Sequence, residues 1–472
     1  MRYFFSLLVL VGYITISAQS SLPFIDGGWF YHVLEKEEAG FIYLENGQVR
    51  DCFQSLHDRG WSFAGLELLT NKAQHDIAAN LRLAQRAKNA GMEIALNFLY
   101  GDGLGNRRIP AGWPEDYEAL KSKLYDYTYQ TLATFDSAGL LPRVVKVGNE
   151  VDHADKGGFL LPHGAIYSAK FYELLAIGCQ AVRDYDPSIR IIQHSYVPKD
   201  NQRFLRGLRE HQVDFDIIGV SFYPHWGGYV EDLPQIIEQL ARYGKDFMIV
   251  ETSTPWSPAE FDELANTSRF EASTYGRNPL AAYLWYTNAR ALVAEHPLGV
   301  GFFVWPAAYP SIGQSRSTKD NQTFWSSQSG NFQALPAQGI GGQAPLIELY
   351  IRGKGFLLLN DQDQLMIGPA EAGERAQFSI QTGSAGKLSL LCLNNGRYLG
   401  RSIDGELKVT ASCLDEALFL RPQDCPSTIY ADLVGCHFSS TEEYLGLDDR
   451  GRLRLSESAV TFFAFSVNRG SP

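Results

Sequence analysis

The sequence predicts an α/β protein in which a (β/α)8 barrel is followed by a smaller all-β domain. Strand-like segments alternate with helical segments over roughly the first 300 residues, the pattern of right-handed βα units around a parallel sheet. The chain has 472 residues, more than one such barrel needs, and its last quarter carries a weak threefold repeat. A doubly wound open sheet is the alternative, but no glycine-rich phosphate turn follows the first strand.

The predicted barrel elements follow one another in regular order. Apolar or β-branched runs, typical of buried parallel strands, lie at 22–28, 61–69, 92–100, 144–147, 189–194, 215–221, 247–251 and 300–305. Helical segments lie between them, at 49–60, 76–90, 116–138, 168–185, 201–211, 233–243 and 279–295. In the second of these, Ile77, Leu81 and Ala84 recur at helical spacing and Gly91 ends the helix.

The two ends of the barrel sequence are set by changes in composition. Residues 1–19 combine a positive start, an apolar run and small residues suited to cleavage, so we expect a signal peptide and a secreted, periplasmic or cell-surface protein. The barrel is predicted over 20–338, and a glycine- and glutamine-rich linker over 339–346.

The remaining residues, 347–472, are predicted to form a β-trefoil that binds glycans. In each of three copies an aromatic residue precedes a leucine by nine positions: Phe356 and Leu365, Tyr398 and Leu407, Tyr444 and Leu453. Three β-rich repeats of about 40 residues, each with a hairpin turn, are typical of that fold. The segment resembles the fascin-like and ricin-like trefoils, which commonly bind sugars or protein surfaces.

Composition limits the partners of the chain. The net charge of −12 argues against nucleic acid or an anionic membrane surface and suits a neutral polysaccharide or oligosaccharide. We expect a monomer with no membrane insertion. Cys52 and Cys179 lie in helical patterns and are predicted to be buried thiols, whereas Cys425 and Cys436 are the first candidates for a disulfide.

Two of the barrel strands end in a glutamate. Val144–Val147 is followed by Gly148, Asn149 and Glu150, and the strand at 247–251 ends in Glu251. Barrel chemistry takes place at the carboxyl ends of the strands. A pair of carboxyl groups there is what double-displacement glycoside hydrolysis requires, one as acid and base and one as nucleophile. Structural carboxylates are the alternative interpretation.

Other polar and aromatic side chains lie close to the same strand ends. We expect them to bind the sugar or to hold the two carboxyl groups, and packing inside the fold is the alternative for each: Asn149, His194, Tyr223, Trp226, Trp256 and Trp305. Asn149 is suited to the sugar 2-hydroxyl and Tyr223 to orienting Glu251. No metal site and no organic cofactor is expected, although a structural calcium ion in a barrel loop is compatible with the sequence.

The barrel sequence resembles glycoside hydrolase family 53, the endo-β-1,4-galactanases. The resemblance runs from about Gly28 to Ala337 and is carried by these segments: 51–54 (DCFQ), 84–91 (AQRAKNAG), 147–150 (VGNE), 220–224 (VSFYP) and 250–253 (VETS). It implies a retaining barrel enzyme with Glu150 as acid and base and Glu251 as nucleophile. We also expect Asn97 and Asp102, on and after the third strand, to bind substrate.

The sequence departs from the family at three strands. The family has Arg-Leu-Arg on strand two, Phe-His-Tyr-Ser-Asp on strand three and Trp-Glu-Pro-Ala-Trp on strand eight. This chain has Gly65-Leu66-Glu67, Phe98-Leu99-Tyr100-Gly101-Asp102 and Trp305-Pro306-Ala307-Ala308-Tyr309. The arginine expected near the nucleophile and the strand-three histidine are therefore missing.

The sequence as a whole predicts a secreted retaining glycoside hydrolase that cleaves a β-linked, galactose-containing polysaccharide of the galactan or arabinogalactan type. Two alternatives stay open. One is a non-catalytic glycan-binding protein on a degenerate barrel, which the changes at Gly65, Glu67 and Leu99 favour. The other is a related hydrolase with a different sugar specificity.

Overall fold

The computed structural model describes most of the chain beyond the first 21 residues. The described ranges are 22–70, 72–100, 109–153, 159, 166–196, 201–267, 276–342, 345–351, 354–360, 364–368, 376–382, 388–393, 397–401, 407–411, 421–430, 433–439, 444–447, 453–456 and 462–466. The predicted signal peptide at 1–19 and the candidate ligand Asp102 lie outside them.

The first part of the chain is a closed barrel of eight parallel strands. Its strands are β1 (Ile25–Trp29), β4 (Phe63–Leu68), β5 (Glu93–Phe98), β6 (Val144–Val147), β7 (Arg190–Ser195), β8 (Ile217–Ser221), β9 (Asp246–Glu251) and β10 (Gly299–Val304). They neighbour one another in chain order and β10 pairs with β1, which closes the ring. The predicted (β/α)8 barrel is confirmed.

Helices and one short hairpin complete this part of the molecule. The hairpin strands are β2 (Leu44–Glu45) and β3 (Gln48–Val49). The helices are α1 (Val33–Glu38), α2 (Cys52–His57), α3 (Ile77–Asn89), α4 (Tyr117–Ser137), α5 (Ala169–Tyr185), α6 (Gln202–Glu210), α7 (Leu233–Ala241), α8 (Pro279–Glu295) and α9 (Ala334–Ile340). No helix of the described residues is both long and apolar enough to cross a membrane.

Local sequence sets where the long helices begin. The side chains of Asp76, Asp116, Ser168 and Asn278 each accept a hydrogen bond from a backbone N–H three residues later. Such caps satisfy one of the amide groups that the first helical turn leaves without a partner. The cap residue therefore fixes the first residue of α3, α4, α5 and α8.

The barrel interior is filled by side chains from nearly every strand. Large and small residues interdigitate there, as in other eight-stranded barrels: Ile25, Trp29, Phe63, Ala95, Val144, Ile192, Ile217, Met248, Val250 and Phe303. A second, larger cluster lies between the strands and the surrounding helices and contains Cys52 and Cys179, both fully buried. The sequence prediction for these two cysteines is confirmed.

Helix α9 reaches into the segment predicted as a linker at 339–346. Gly339 and Ile340 are the last two residues of this helix, which packs against α8. Ala337 and Ile340 are fully buried, so apolar burial holds this helix in place despite its glycine. The connection to the next domain therefore begins at Gly341, and the first strand after it begins at Leu346.

The C-terminal part is all-β. Its strands are β11 (Leu346–Ile351), β12 (Gly355–Leu359), β13 (Leu365–Gly368), β14 (Gln377–Thr382), β15 (Leu388–Cys392), β16 (Arg397–Arg401), β17 (Leu407–Ala411), β18 (Arg421–Tyr430), β19 (Leu433–Ser439), β20 (Tyr444–Leu447), β21 (Leu453–Ser456) and β22 (Phe463–Ser466). All described pairings among them are antiparallel. Strands β14 and β18 lie against α8, and β22 against α9.

The sequence repeat corresponds to three hairpins with one register. Leu359 pairs with Leu365 in β12–β13, Arg401 with Leu407 in β16–β17, and Leu447 with Leu453 in β20–β21. The second leucine of each hairpin is buried. The repeated leucine is therefore a core residue of each hairpin. The side chains of Cys425 and Cys436 lie outside the described part, and so does the pairing predicted for them.

Candidate active site

A tight turn at the end of β6 presents Glu150. Gly148 and Glu150 both have positive φ angles, 84° and 43°. A Cβ at Gly148 would lie 2.4 Å from Val151, so only glycine fits this close approach. The backbone N–H of Glu150 donates to His194 Nδ1 at 3.1 Å. The turn therefore directs the Glu150 carboxyl group inward over the barrel mouth.

Glu251 faces Glu150 across the mouth. It is the last residue of β9 and is 5% exposed. A carboxylate oxygen of Glu150, one of Glu251 and a ring nitrogen of His194 all lie within 4.8 Å of one another. Retaining glycosidases hold their two carboxyl groups about 5–5.5 Å apart, whereas inverting enzymes need roughly 6.5–9.5 Å. The closest oxygens of the two groups therefore lie nearer to each other than the inverting range.

Lys146, in the middle of β6, lies beneath both carboxyl groups and is fully buried. Its ammonium nitrogen lies 3.0 Å from Glu251 Oε1, 2.5 Å from Asn149 Oδ1 and 3.3 Å from His194 Nδ1. It also lies 4.4 Å from the centre of the Trp29 ring. The site thus carries a buried cation in direct contact with one of the two carboxylates.

His194 and Ser221 connect this cation to Glu150. His194 Nδ1 faces two donors, the Glu150 N–H and the Lys146 ammonium, so the ring proton belongs on Nε2. Nε2–H then donates to Ser221 Oγ at 3.0 Å, and Ser221 donates to Glu150 Oε1 at 2.6 Å. Since Oε1 is already an acceptor, Oε2 is the oxygen that can carry a transferable proton.

The two carboxyl groups differ in their surroundings. Burial raises the pKa of Glu150 to about 8, and the charge of Glu251 adds to this, while Ser221 and Lys146 oppose it. Glu150 is therefore protonated near neutral pH. Glu251 instead receives hydrogen bonds from Lys146 and from the Tyr223 hydroxyl, the latter at 3.3 Å. Burial holds the pKa of Tyr223 well above its usual range, so this phenol is a donor.

Three aromatic rings gather beside the carboxyl pair around Lys319. The Lys319 ammonium lies 4.6 Å from the ring centre of Tyr223 and 5.9 Å from those of Trp226 and Trp305. Trp226 is 55% exposed, which leaves its face open to a sugar. Burial lowers the pKa of Lys319 to about 7, against the opposing effect of Glu251 and Glu150.

Three of the residues expected to bind substrate are buried and contact other protein groups. Trp256 is 1% exposed, and its indole N–H donates to the Thr323 carbonyl. Asn97 is fully buried and donates to Glu67 Oε1 at 3.1 Å. His194 is also fully buried, and its Nε2 lies 3.0 Å from Ser221 Oγ.

Glu67 occupies the strand-two position where the sequence lacks an arginine. Its two oxygens accept hydrogen bonds from Asn97 and from the Trp305 indole N–H, each at 3.1 Å. Burial raises the pKa of Glu67 to about 7; Lys146 lowers it and Glu251 raises it. A third carboxyl group therefore lies on the floor of the site.

Glu150, His194 and Glu251 are close enough to be ligands of one metal ion. The donor set does not fit one, because the Lys146 ammonium already contacts Glu251 and His194 and its positive charge opposes a second cation.

Sequence reasoning missed Lys146, Ser221 and Lys319. A signal existed for Lys146. The β-branched run Val144–Val147 is typical of a buried strand, and a lysine is rarely buried unless a partner compensates its charge. Ser221 ends the sixth barrel strand and carried a weaker signal of the same kind. Lys319 lies in the long segment after β10, where nothing in the sequence distinguishes it from other polar residues.

Comparisons with known proteins agree with this geometry. The sequence profile of glycosyl hydrolase family 53 matches residues 25–338. The arabinogalactan endo-β-1,4-galactanase of Cellvibrio japonicus is 31% identical over 358 residues, covering 70% of this chain and 93% of that protein. The endo-β-1,4-galactanase of Bacillus subtilis is 27% identical over 325 residues, covering 64% of this chain and 74% of that protein.

Solved structures lead to the same family. The Ignisphaera aggregans GH53 catalytic domain superposes with a TM-score of 0.59 at 25% identity, covering 68% of this chain and 96% of that one. A fungal β-1,4-galactanase superposes with a TM-score of 0.60 at 25% identity, covering 68% of this chain and 99% of that one. With the family profile covering the whole barrel, the chain belongs to glycosyl hydrolase family 53 and is a glycosidase.

Proposed function

We propose that this protein hydrolyses β-1,4-linked galactan or arabinogalactan with retention of configuration. The observation that carries the proposal is the pair of carboxyl oxygens of Glu150 and Glu251 within 4.8 Å of each other at the barrel mouth. The galactan substrate is proposed because the relatives that match the barrel are galactanases. Asn149, Tyr223, Trp226 and Trp305 are the proposed substrate-binding residues.

In the first step Glu251 attacks the anomeric carbon while Glu150 protonates the leaving oxygen. Lys146 donates to Oε1 of Glu251, whereas Oε2 accepts the longer hydrogen bond from Tyr223. Oε2 is therefore the proposed attacking oxygen. Glu150 is suited to the acid role because burial keeps its proton in place near neutral pH. In the second step the Glu150 carboxylate takes a proton from water, and the water oxygen attacks the anomeric carbon. The bond between that carbon and Glu251 breaks, which releases the sugar.

The test is a reducing-sugar assay on purified galactan and arabinogalactan with other β-glycans as controls. Wild type is expected to release reducing ends, and Glu150→Gln and Glu251→Gln to lose at least about a thousandfold in rate. Binding without release, unchanged in both variants, would support a non-catalytic glycan-binding protein, the reading that Gly65, Glu67 and Leu99 favour. Release from another β-glycan but not from galactan would support a different sugar specificity.

We propose in addition that the C-terminal domain is a β-trefoil that binds glycans. Three hairpins of identical register support this, together with contacts among their second strands β13, β17 and β21 and the pairing of the first strand β11 with the last strand β22. These are the features of three repeats around a pseudo-threefold axis. We also propose that the protein is secreted, on the basis of the signal peptide predicted at 1–19. We propose that it acts as a monomer, since both carboxyl groups come from one chain.

A further inference from the structure

The lysine beneath the carboxyl pair is surrounded by hydrogen-bond acceptors. An ammonium group has three N–H donors, and Lys146 meets three acceptors within 3.3 Å: Asn149 Oδ1, Glu251 Oε1 and His194 Nδ1. The Trp29 ring lies under it, in a cation–π contact. Each N–H donor of the ammonium group therefore has an acceptor within reach.

The same contact fixes the orientation of Asn149. A lysine nitrogen offers donors and no acceptor, so the amide atom that faces it must be the oxygen. The amide NH₂ group of Asn149 then does not face Lys146, and Asn149 follows β6 at the end of the barrel where the two carboxyl groups lie. It can donate to a sugar hydroxyl there, a contact that strengthens in the glycosidic transition state.

The cation at this site comes from β6 and not from β4. Glu67, Asn97 and Lys146 pair across neighbouring strands in register, so they lie in one layer of the barrel. The β4 member of this layer is a carboxyl group. Among the described residues, the ion-pair partners of Glu251 are Lys146 and His194. Burial, together with the Lys146 charge, keeps the pKa of His194 well below its usual range. With His194 neutral, Lys146 is the cation in contact with Glu251.

We propose that Lys146 is a positioning residue of the reaction: its ammonium holds the nucleophile Glu251 in place and turns Asn149 to present its N–H groups to the sugar. The inference rests on the proposed roles of Glu150 and Glu251. It adds a group that acts through both Glu251 and Asn149 without touching substrate. It also explains how a site with Glu67 at the strand-two position can keep a working nucleophile.

A double-mutant cycle tests the contact without any substrate. The melting temperatures of wild type, Lys146→Met, Glu251→Gln and the double variant are compared. Lys146→Met leaves a buried carboxylate without its cation, so it is expected to lower the melting temperature most. The double variant is expected to melt above Lys146→Met. Additive losses in the two single variants would overturn the proposal.

Chemical rescue tests the catalytic consequence. Lys146→Ala keeps Cβ and removes a chain equal in size to propylammonium, so added propylammonium chloride can refill the space. We expect Lys146→Ala to lose about a hundredfold or more in kcat, as when one preorganised donor is removed, and to regain rate saturably with propylammonium but not with sodium chloride. A rate that stays near wild type without propylammonium, or that no amine restores in a folded variant, would overturn the proposal.

The pH profile gives a third readout. The ionisable groups that face Glu251 are Glu67 on β4, Lys146 on β6, Glu150 after β6, His194 on β7, Tyr223 after β8 and Lys319 after β10. Lys146 lowers the pKa of Glu150, so its removal is expected to move the basic limb of kcat/KM to higher pH. A basic limb that stays in place would contradict the proposal.

Lys36 provides the matched control. It is equally buried, and its ammonium donates to the Ser315 carbonyl, the Ser315 hydroxyl and the Arg316 carbonyl. Lys36→Met is expected to lower the melting temperature and leave the pH profile in place. If wild type fails to cleave galactan, that result contradicts only the proposed substrate. The double-mutant cycle measures the contact between Lys146 and Glu251 without any substrate.

Discussion

At the scale of single residues, the proposed mechanism makes activity depend on the proton of Glu150. Burial raises the pKa of Glu150 to about 8, so the acid form is present at neutral pH and is lost as the pH rises through that value. We predict that kcat/KM falls above about pH 8. The hydrogen bond from Ser221 stabilises the carboxylate and works in the opposite direction to burial.

Replacing Ser221 tests that hydrogen bond. In Ser221→Ala the carboxylate loses its donor, so the pKa of Glu150 rises further and the basic limb of kcat/KM moves to higher pH. The control is Ser55→Ala, another buried serine, which donates to Glu45 and lies outside the site. A basic limb that moves down in Ser221→Ala, or equally in both variants, would contradict this assignment.

Two tryptophans that look alike in the sequence are predicted to behave differently. Trp226 is exposed beside the site, so Trp226→Ala should leave the melting temperature near wild type and lower kcat/KM on galactan about 3–10-fold, the size of a stacking contact. Trp256 is buried, so Trp256→Ala should lose about 3–5 kcal/mol of unfolding free energy. Denaturant unfolding and initial rates measure both; a large stability loss in Trp226→Ala would contradict its placement.

At the scale of elements, the turn after β6 joins the fold to the chemistry. We predict that Gly148→Ala is destabilised by about 1–3 kcal/mol and loses most of its activity, because the positive φ and the close contact with Val151 cannot accept a Cβ. Gly139→Ala is the control: its φ is also positive, but nothing lies within 4 Å of the added Cβ. The activity of Gly139→Ala should match wild type. An equal loss of activity in Gly139→Ala and Gly148→Ala would contradict a specific role for the turn after β6.

The sequence could predict the long elements because each carries its own local signal. Helical spacing and a capping side chain place α3 to within a residue, and strand-end glutamates identify Glu150 and Glu251. Elements of six or seven residues, such as α1 and α9, are stabilised mainly by what they pack against. The role of Lys146 depends on contacts across the barrel with residues up to 105 positions away, which no local pattern contains.

At the scale of the whole molecule, strands β14, β18 and β22 of the C-terminal domain lie against helices α8 and α9 of the barrel. We predict that a chain ending at Gly342 cleaves short soluble galacto-oligosaccharides at the wild-type rate per folded molecule. Its rate on insoluble, galactan-rich material should fall severalfold, because the glycan-binding domain is gone. The two substrates are compared at equal concentrations of folded protein, and an equal loss on both would contradict a targeting role.

The charge arrangement also belongs to the whole barrel, because its members come from four of the βα units. Closure of the sheet brings together five ionisable side chains, Glu67, Lys146, Glu150, Glu251 and Lys319. A buried charge is costly unless an opposite charge or hydrogen bonds compensate it, and here two lysines lie beside three carboxyl groups.

The most direct measurement of the central claim is the anomeric configuration of the first product. Galacto-oligosaccharide cleavage is followed by proton NMR from the first minutes, before the released sugar equilibrates between its anomers. A carboxyl pair within 4.8 Å predicts that the β-anomer appears first and the α-anomer only later. Initial release of the α-anomer would show single displacement by water and contradict the assignment of Glu251 as nucleophile.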